Sequence, residues 1–187
     1  MYVLSVITAF SAVLVFVAVV VDFILYNKKN TVVKSKRSVV ATGSMVGFYI
    51  VYCGVLIFRF DRIYYFNLHA MIIGTVMIVT GAIINIAGRI QLKDNWANHI
   101  KIYEDHSLVN RGVYKFVRHP LYASIILMLF GGSIAQGNWI SIALTAFMFV
   151  PMMVYRAKQE ETLLRETFAE YDEYAKTTGM FFPKLWR

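Results

Sequence analysis

Long stretches without a charged side chain constrain the fold of this chain more than any other feature. Residues 2–21, 39–58 and 63–88 contain no Asp, Glu, Lys or Arg. A helix of about 20 apolar residues is long enough to cross the hydrocarbon core of a bilayer. The chain is therefore predicted to be an all-α integral membrane protein. Its first stretch is interpreted as a retained span, because it lacks the basic start of a signal peptide.

A fourth uncharged stretch, between Arg118 and Arg156, is too long for one straight span. The sequence Gln136-Gly137-Asn138-Trp139 is typical of a turn and divides this stretch. Residues 119–155 are therefore predicted to form a helical hairpin, which brings the number of transmembrane helices to five.

Basic residues in short loops stay on the cytoplasmic side of a membrane during insertion. The first loop carries five of them, Lys28, Lys29, Lys34, Lys36 and Arg37. The next loop has only Arg59 and Arg62, partly offset by Asp61. The N-terminus is therefore expected outside, and residues 89–118 and the tail after Arg156 are expected in the cytoplasm.

The C-terminal tail has the pattern of an amphipathic helix. Its apolar residues recur at helical spacing, at Leu164, Phe168, Tyr171 and Ala175. Gly179 is expected to end this helix, and Phe181-Phe182-Pro183 with Trp186 to anchor the tail at the membrane interface. The chain thus divides into a three-span region, 1–88, and a second region, 89–187, with a cytoplasmic segment, the hairpin and the tail.

The net charge of +8 predicts contact with a membrane rather than with nucleic acid. The basic residues cluster beside apolar stretches, where such residues face anionic lipid headgroups. No metal site is expected, because His99, His106 and His119 lack both a cysteine set and an i,i+4 histidine partner. The single cysteine, Cys53, excludes an intrachain disulfide.

Residues 104–122 mix histidines, tyrosines and basic residues between two predicted spans. A plain interfacial connector explains the Arg, Lys and Tyr residues, but Arg118-His119-Pro120 indicates more. Proline suits the first turn of a helix, so His119 is expected beside the free N–H groups at the mouth of a membrane helix. An anionic or polar ligand can bind there.

Arg156 and Glu160 are four residues apart and share one face of a helix near the predicted membrane boundary. They can form a simple ion pair, or they can face a common cleft with the His119 segment. In a cleft, glutamate suits an ammonium or sulfonium group, and arginine binds a carboxylate or phosphate through its rigid fork.

An ordered set of short motifs runs from about Asn95 to the C-terminus. The motifs are Asn95-Trp96, His106-Ser107-Leu108-Val109, Gly112-Val113-Tyr114, Arg118-His119-Pro120-Leu121-Tyr122, Glu160-Glu161, and Phe168, Tyr171 and Tyr174 at three-residue spacing. Each motif is weak alone, but the set is specific. In it the chain resembles the isoprenylcysteine carboxyl methyltransferase family, within the wider group that includes membrane phospholipid methyltransferases. The first two spans match in kind only.

The resemblance implies a compact five-span enzyme that uses S-adenosyl-L-methionine and releases S-adenosylhomocysteine. The residues implied to surround this cofactor are His106, Ser107, Leu108, Val109, Tyr114, His119, Pro120, Leu121, Tyr122 and Glu160. Arg156 would reach the methyl acceptor, and with Glu160 it forms the expected catalytic pair. Lys101 falls where the family's prenylcysteine enzymes have a polar cofactor contact, commonly glutamine.

The implied acceptor is lipophilic or carries a lipid, and meets the cofactor at the boundary between membrane and cytosol. The resemblance favours the carboxylate of an isoprenylcysteine-like substrate. The amine of an ethanolamine phospholipid and a small thiol remain open as acceptors. Two other classes also remain open: an NADPH-dependent membrane reductase with a related Arg-His-Pro segment, and a membrane scaffold without enzymatic activity.

Overall fold

The structure is a computed structural model that describes residues 32–36, 42–58, 67–92, 100–103 and 107–184. The predicted first span and Trp186 lie outside the described residues. The helices are α1 Thr42–Phe58, α2 Leu68–Leu92, α3 Pro120–Ala135, α4 Trp139–Arg165 and the short α5 Tyr171–Thr177. A 3-10 helix, Gly112–Lys115, precedes α3.

Two of the described helices, α2 and α4, are long and apolar enough to cross a membrane. The 25 residues of α2 extend over about 37 Å at 1.5 Å per residue. The apolar helices α1 and α3 are shorter. These helices confirm the predicted helical architecture, while the number of spans stays a prediction.

Helices α2 and α3 pack closely because small residues line their contact. Gly74, Gly81 and Gly88 lie at every seventh position of α2, and Gly131 faces Gly74 from α3. A Cβ atom at Gly81 would lie 2.5 Å from Met128 Cγ, and one at Gly131 would lie 2.7 Å from the Gly74 carbonyl oxygen. In a membrane, where helices gain little from the hydrophobic effect, such residues permit close van der Waals packing.

A buried polar contact joins the same two helices nearer to the start of α3. Asn85 is fully buried, and its Nδ2 donates to Ser124 Oγ at 2.7 Å. Arg89 Nε donates in turn to Asn85 Oδ1 at 2.8 Å. Polar groups between apolar helices need such partners, because an unpaired one costs desolvation free energy. Arg89 is part of the same helix: α2 continues past Gly88, where its span is predicted to end, and reaches Leu92.

Helices α3 and α4 form a hairpin, and its turn lies where the sequence predicts it. Gly137 has a positive φ of 61°, a conformation that favours glycine. Asn138 then caps α4, since its Oδ1 accepts a hydrogen bond from the Ser141 N–H at 2.8 Å. The chain reverses within three residues and brings the end of α4 back beside the start of α3.

Helix α4 contains a π-helical turn, Thr145–Phe149, that a regular helical period does not predict. The Val150 N–H donates to the Thr145 carbonyl, five residues back. Pro151 follows this turn, and because proline has no N–H it cannot continue the ordinary backbone ladder. The turn rotates the rest of α4 and so decides which side chains beyond Tyr155 face α3.

Helix α1 packs on the hairpin through aromatic side chains. The ring centroids of Phe48 and Phe149 are 4.7 Å apart. Tyr52 donates its hydroxyl hydrogen to the Leu129 carbonyl at 2.7 Å, so its polar end is paired as well. This contact places Met45, near the start of α1, against the hairpin.

Besides the helices, the described residues include a two-stranded antiparallel ribbon that the all-α prediction did not contain. Strand β1, Val32–Lys36, pairs with β2, Ile100–Tyr103. β-branched residues favour an extended chain, but segments so far apart in sequence carry no local signal of their pairing. The ribbon brings the first basic loop and the segment after α2 together.

The prediction of one amphipathic helix in the tail is wrong. Helix α4 ends at Arg165, a turn follows, and α5 covers Tyr171–Thr177. At this break the Thr167 hydroxyl donates to the Leu163 carbonyl at 2.8 Å. The turn folds α5 back, so that Tyr171 is buried with 1% of its surface exposed.

We predict that Gly74→Ala destabilises the contact between α2 and α3. Its Cβ would lie 2.6 Å from Ala135 Cβ and overlap the Gly131 carbonyl. Overpacking lowers the free energy of unfolding by about 1–3 kcal/mol, so the thermal unfolding midpoint of the detergent-purified protein should fall. The matched control is Gly54→Ala, where a Cβ meets no described atom within 4 Å and alanine favours the helix. Equal midpoints for the two variants would contradict close packing.

Candidate functional site

Charged and aromatic side chains meet where α3 begins and where α4 leaves its apolar part. The apolar part of α4 extends to Tyr155, and the remainder of the helix is polar. The members of this polar cluster are Arg118, His119, Tyr122, Arg156, Glu160 and Glu161. Pro120 starts α3 directly after His119, which holds the histidine at the helix mouth as predicted.

His119 lies between two carboxylates that are neighbours in sequence. Its Nδ1 is 3.5 Å from Glu160 Oε2, and its Nε2 is 3.1 Å from Glu161 Oε1. Adjacent helical residues point about 100° apart, so the two glutamates can reach opposite edges of one imidazole ring. The histidine is buried, with 7% of its surface exposed.

The two carboxylates raise the pKa of His119. Burial alone would lower this pKa, but the contacts with Glu160 and Glu161 outweigh the lost hydration. A histidine whose two nitrogens both donate is an imidazolium, which has no lone pair left for a proton. The raised pKa favours this cationic form of His119, which cannot act as a general base.

Tyr122 connects Glu160 to Arg156. Its hydroxyl donates to Glu160 Oε1 and accepts from Arg156 Nε, which lies 2.9 Å from the hydroxyl oxygen. The Tyr122 ring also stacks on His119, with centroids 5.6 Å apart and planes inclined by 7°. Glu160 thus has partners on several sides, yet 24% of its side chain stays exposed.

Arg156 faces both the polar cluster and α1. Its Nε lies 3.5 Å from Glu160 Oε1, so the simple i,i+4 ion pair is present within the larger network. Its Nη1 lies 3.9 Å from Met45 Sδ of α1. The guanidinium is buried, with 6% of the residue exposed. It therefore lies between a polar side, formed by Tyr122 and Glu160, and an apolar side, formed by α1.

The C-terminal tail is bound to the start of α3 by hydrogen bonds to its backbone carbonyls. The Arg118 N–H donates to the Gly179 carbonyl at 2.8 Å, and the His119 N–H donates to the Met180 carbonyl at 3.1 Å. The Arg118 guanidinium donates to the carbonyls of Ala175, at 3.1 Å, and Thr178. The tail thus forms one wall of the polar cluster.

Gly179 serves this pairing. It does not end the tail helix, contrary to the prediction from the sequence. Helix α5 stops earlier, and Thr178 is already extended, with φ −117° and ψ 146°. Gly179 forms a parallel bridge with Val117. A Cβ atom on Gly179 would overlap the Phe182 carbonyl oxygen. Glycine is therefore required by close approach of the backbone.

The two phenylalanines of the predicted interfacial anchor have different surroundings. Phe181 is half-buried, and its ring lies edge-on to His119 with centroids 6.2 Å apart. Phe182 is exposed over 78% of its surface. Of these two phenylalanines, Phe182 has the exposure that an interfacial anchor needs, whereas Phe181 belongs to the surroundings of the polar cluster.

The segment before α3 is fixed by α2 on one side and by α5 on the other. Gly112 has a positive φ of 59°, and the next N–H, that of Val113, donates to Gln91 Oε1 at 2.8 Å. Tyr114 is buried, and its carbonyl accepts a hydrogen bond from the Tyr174 hydroxyl at 2.6 Å. A Cβ atom on Gly112 would collide with the Gln91 amide.

The structure brings four of the predicted site residues together, namely His119, Tyr122, Arg156 and Glu160. Pro120 and Leu121 face α2 instead. A Cβ atom placed on Gly88 would lie 3.0 Å from Leu121 Cδ2 and 3.6 Å from Pro120 Cγ. These two side chains therefore contribute to helix packing at the edge of the polar cluster.

The other predicted cofactor contacts come before α3 in the chain. Ser107 is exposed, Leu108 and Val109 are half-buried, and Tyr114 is buried. The backbone of Lys101 pairs with that of Ser35 in the ribbon. The Lys101 side chain and the whole of His106 fall outside the part of the chain that the structure describes. Their roles stay predictions.

Two members of the polar cluster, Arg118 and Glu161, received no role from sequence analysis. Glu161 Oε1 accepts from Arg118 Nε at 2.8 Å. Local spacing indicates Arg165 as its partner, but that contact is longer, at 3.5 Å. The shorter contacts join residues that are 42 and 43 positions apart in sequence. The available signal was that each residue adjoins a predicted one, Arg118 beside His119 and Glu161 beside Glu160.

The polar cluster can bind a cation beside an anion. Glu160 offers a partly exposed carboxylate near the ring of Tyr122, a combination that suits a sulfonium or ammonium group. Arg156 offers a guanidinium beside apolar α1, which suits a carboxylate attached to an apolar tail. The polar cluster lies at the end of apolar helices, a position that suits one polar and one lipophilic ligand.

Fold and site together define a helical membrane protein with a charged site at the polar ends of its apolar helices. The family of this protein follows from comparison with known sequences. The chain belongs to the isoprenylcysteine carboxyl methyltransferase (ICMT) family, whose model matches residues 71–166. The matched residues contain the whole polar cluster.

Individual relatives are similar over part of their length. Protein-S-isoprenylcysteine O-methyltransferase A of Arabidopsis thaliana is 33% identical over 113 residues, which are 59% of this chain and 57% of the relative. A probable protein-S-isoprenylcysteine O-methyltransferase of Oryza sativa subsp. indica is 30% identical over 114 residues, 59% and 60% of the two chains. The cobalt-zinc-cadmium resistance protein CzcN of Cupriavidus metallidurans is 33% identical over 89 residues, 48% and 41%. The chain thus matches less than two thirds of the length of each relative.

We expect Gly179→Ala to loosen the tail, because the added Cβ would force the Phe182 carbonyl away. Amide hydrogen exchange at Arg118 and His119 should accelerate by about fivefold or more, since a lost hydrogen bond is worth about 1 kcal/mol. Thr177→Ala, at an exposed position of α5, is the control and should leave both amides protected. Unchanged protection in Gly179→Ala would show that the tail is held in another way.

Proposed function

We propose that this protein transfers a methyl group from S-adenosyl-L-methionine to a lipophilic acceptor at the boundary between membrane and cytosol. The proposed acceptor group is the carboxylate of an isoprenylcysteine-like substrate. The observation that carries this proposal is the pairing of Glu160 with Arg156 through Tyr122 where α4 leaves its apolar part. Family membership supports the class of reaction, and the names of the plant relatives support the acceptor.

The surroundings of Glu160 fit the methyl donor. S-adenosyl-L-methionine supplies a methyl group on a sulfonium, and a carboxylate with exposed surface suits the positive charges of this molecule. We assign Glu160, Tyr122 and His119 to holding it. The further proposed contacts, carried over from the family, are Lys101, His106, Ser107, Leu108, Val109 and Tyr114. Pro120 and Leu121 belong to the same carried-over set, although their side chains pack against Gly88 of α2.

The polar cluster favours an acceptor that needs no deprotonation. A carboxylate is already anionic at neutral pH, whereas an ammonium or a thiol must first give a proton to a base. His119 has a raised pKa and a carboxylate at each ring nitrogen. Glu160 already accepts from Tyr122 and faces two cations. These groups fit carboxylate methylation better than N-methylation of an ethanolamine phospholipid or S-methylation of a small thiol.

Arg156 is proposed to hold the acceptor. Its planar guanidinium can bind a carboxylate through two parallel hydrogen bonds, which also fixes the direction of the carboxylate. The apolar side of Arg156, at Met45, offers a surface for a lipid chain. Because methyl transfer to a positioned nucleophile needs no covalent intermediate, orientation and exclusion of water are the main contributions of these residues.

We also propose five spans, with the N-terminus outside and the polar cluster and C-terminus in the cytoplasm. In this arrangement residues 1–88 form a membrane region and residues 89–187 the catalytic region. The ribbon supports it, since β1 belongs to the first basic loop and β2 to the segment after α2, so both loops lie on one side. Basic loops favour the cytoplasmic side.

Titration calorimetry on the detergent-purified protein should show saturable binding of S-adenosylhomocysteine and none of NADPH. Binding of NADPH alone would favour a membrane reductase, and the absence of binding by both ligands in helical, folded protein would favour a scaffold.

A transfer assay should then methylate an S-prenylated cysteine with a free carboxylate. Phosphatidylethanolamine and a small thiol should stay unmodified, and methylation of either would overturn the proposed acceptor.

Arg156→Lys should lower turnover by about 10- to 100-fold, the effect of about 1.4–2.8 kcal/mol, with the Kd for S-adenosylhomocysteine nearly unchanged. Lysine loses the fork but keeps a cation beside Glu160, so no buried carboxylate is left unpaired. Glu160→Gln should instead weaken S-adenosylhomocysteine binding by about tenfold, as expected for a charged hydrogen bond. The matched control is Lys158→Arg, on the exposed face of α4. Equal loss of binding and turnover in Arg156→Lys would remove its role with the acceptor.

The topology is tested with single cysteines in a Cys53→Ser background. Asn30→Cys and Asp172→Cys should react with an impermeant maleimide only from the cytoplasmic side. Asp61→Cys, in the loop predicted outside, should react only from the other side. Labelling of Asn30→Cys and Asp172→Cys from opposite sides would refute the five-span arrangement.

A further inference from the structure

Glu161 is enclosed by cations, although the proposed function gives it no role. Its residue surface is 3% exposed. Oε1 lies 2.8 Å from Arg118 Nε and 3.1 Å from His119 Nε2, and Oε2 lies 3.5 Å from Arg165 Nη2. A buried carboxylate is costly unless it is paired and hydrogen-bonded. These contacts satisfy that requirement and connect Glu161 directly to His119.

The neighbours Glu160 and Glu161 differ in what they can reach. The Glu160 side chain is 24% exposed, whereas that of Glu161 is 4% exposed. Glu160 therefore has surface for a ligand, and Glu161 has almost none. The ring of His119 is the one group of the polar cluster that contacts both carboxylates.

We infer that Glu161 is a positioning residue, which acts through His119 to hold Glu160 in place for the methyl donor. This inference rests on the proposed function, in which Glu160 binds the donor. Stacking on Tyr122 fixes the plane of the His119 ring but does not distinguish between the two orientations that a half-turn about the Cβ–Cγ bond interchanges. Acceptors at both ring nitrogens remove this freedom, because each nitrogen then has a carboxylate to face.

The charge of Glu161 also acts on the protonation of His119. The titratable and charged groups around the ring are Glu160 and Glu161 from α4 and Tyr122 from α3, with Arg118 and Arg156 beyond the carboxylates. The tail presents the apolar ring of Phe181. Replacing Glu161 by glutamine keeps an oxygen acceptor but leaves His119 with one anionic neighbour, so the pKa of His119 should fall.

Nitrogen-15 NMR of the histidine rings tests this inference without an activity assay. The His119 signals are assigned by their loss in His119→Gln. In the native protein both His119 nitrogens should stay protonated at pH 7.5. In Glu161→Gln the ring should titrate at a lower pH, and the Kd for S-adenosylhomocysteine should rise by about tenfold at pH 8, the loss of one charge-assisted hydrogen bond. Below the new pKa the affinity should recover.

The matched control is Glu170→Gln, which removes an exposed carboxylate from the turn after α4 and should change neither the His119 titration nor the Kd. Glu161→Asp, which keeps the charge, should preserve the raised pKa of His119. A native His119 that titrates near the ordinary value of about 6.5 overturns the inference without any variant. Loss of affinity in Glu161→Gln that is equal at every pH also overturns it, because that is a structural effect. Native protein that binds no S-adenosylhomocysteine, in contrast, refutes the proposed function itself.

Discussion

The imidazole of His119, held between the carboxylates of Glu160 and Glu161, is the contact on which the rest of the site depends. His119 stands at the start of α3 and both glutamates stand on α4, so this contact fixes how the two helices of the hairpin meet at their polar ends. Arg118 then brings the tail, and Tyr122 brings Arg156. Buried charges are stable only when each has its partners, so these elements form one arrangement rather than separate contacts.

The apolar helices α2 and α3, which form the frame around the polar cluster, are held together by a different kind of interaction. Helices α2 and α3 approach through Gly74, Gly81 and Gly131, where close van der Waals contact replaces the hydrophobic effect that drives packing in water. Asn85 and Ser124 pair inside this contact, and polar groups among apolar helices are stable only when paired. The frame is therefore apolar and close-packed, whereas the site at its end is charged and partly open to solvent.

Family membership and site geometry answer different questions about this protein. Membership supports the proposed class of chemistry, methyl transfer, but relatives of similar identity carry names as different as a protein-S-isoprenylcysteine O-methyltransferase and a metal resistance protein. The geometry adds information on the acceptor, because the two carboxylates beside His119 favour its protonated form, and that form cannot accept a further proton. An acceptor that is already anionic is the one that this charge arrangement suits.

The sequence by itself determined the features that depend on composition and short-range order. The apolar helices, the turn at Gly137, the placement of His119 before Pro120 and the shared face of Arg156 and Glu160 all follow from local spacing. The break before α5, the pairing of Gly179 with Val117, the ribbon and the role of Glu161 were decided by tertiary structure. The physical reason is separation along the chain: the closest partners of Glu161 are 42 and 43 residues away, and no local period encodes a contact that forms only when two helices and a tail meet.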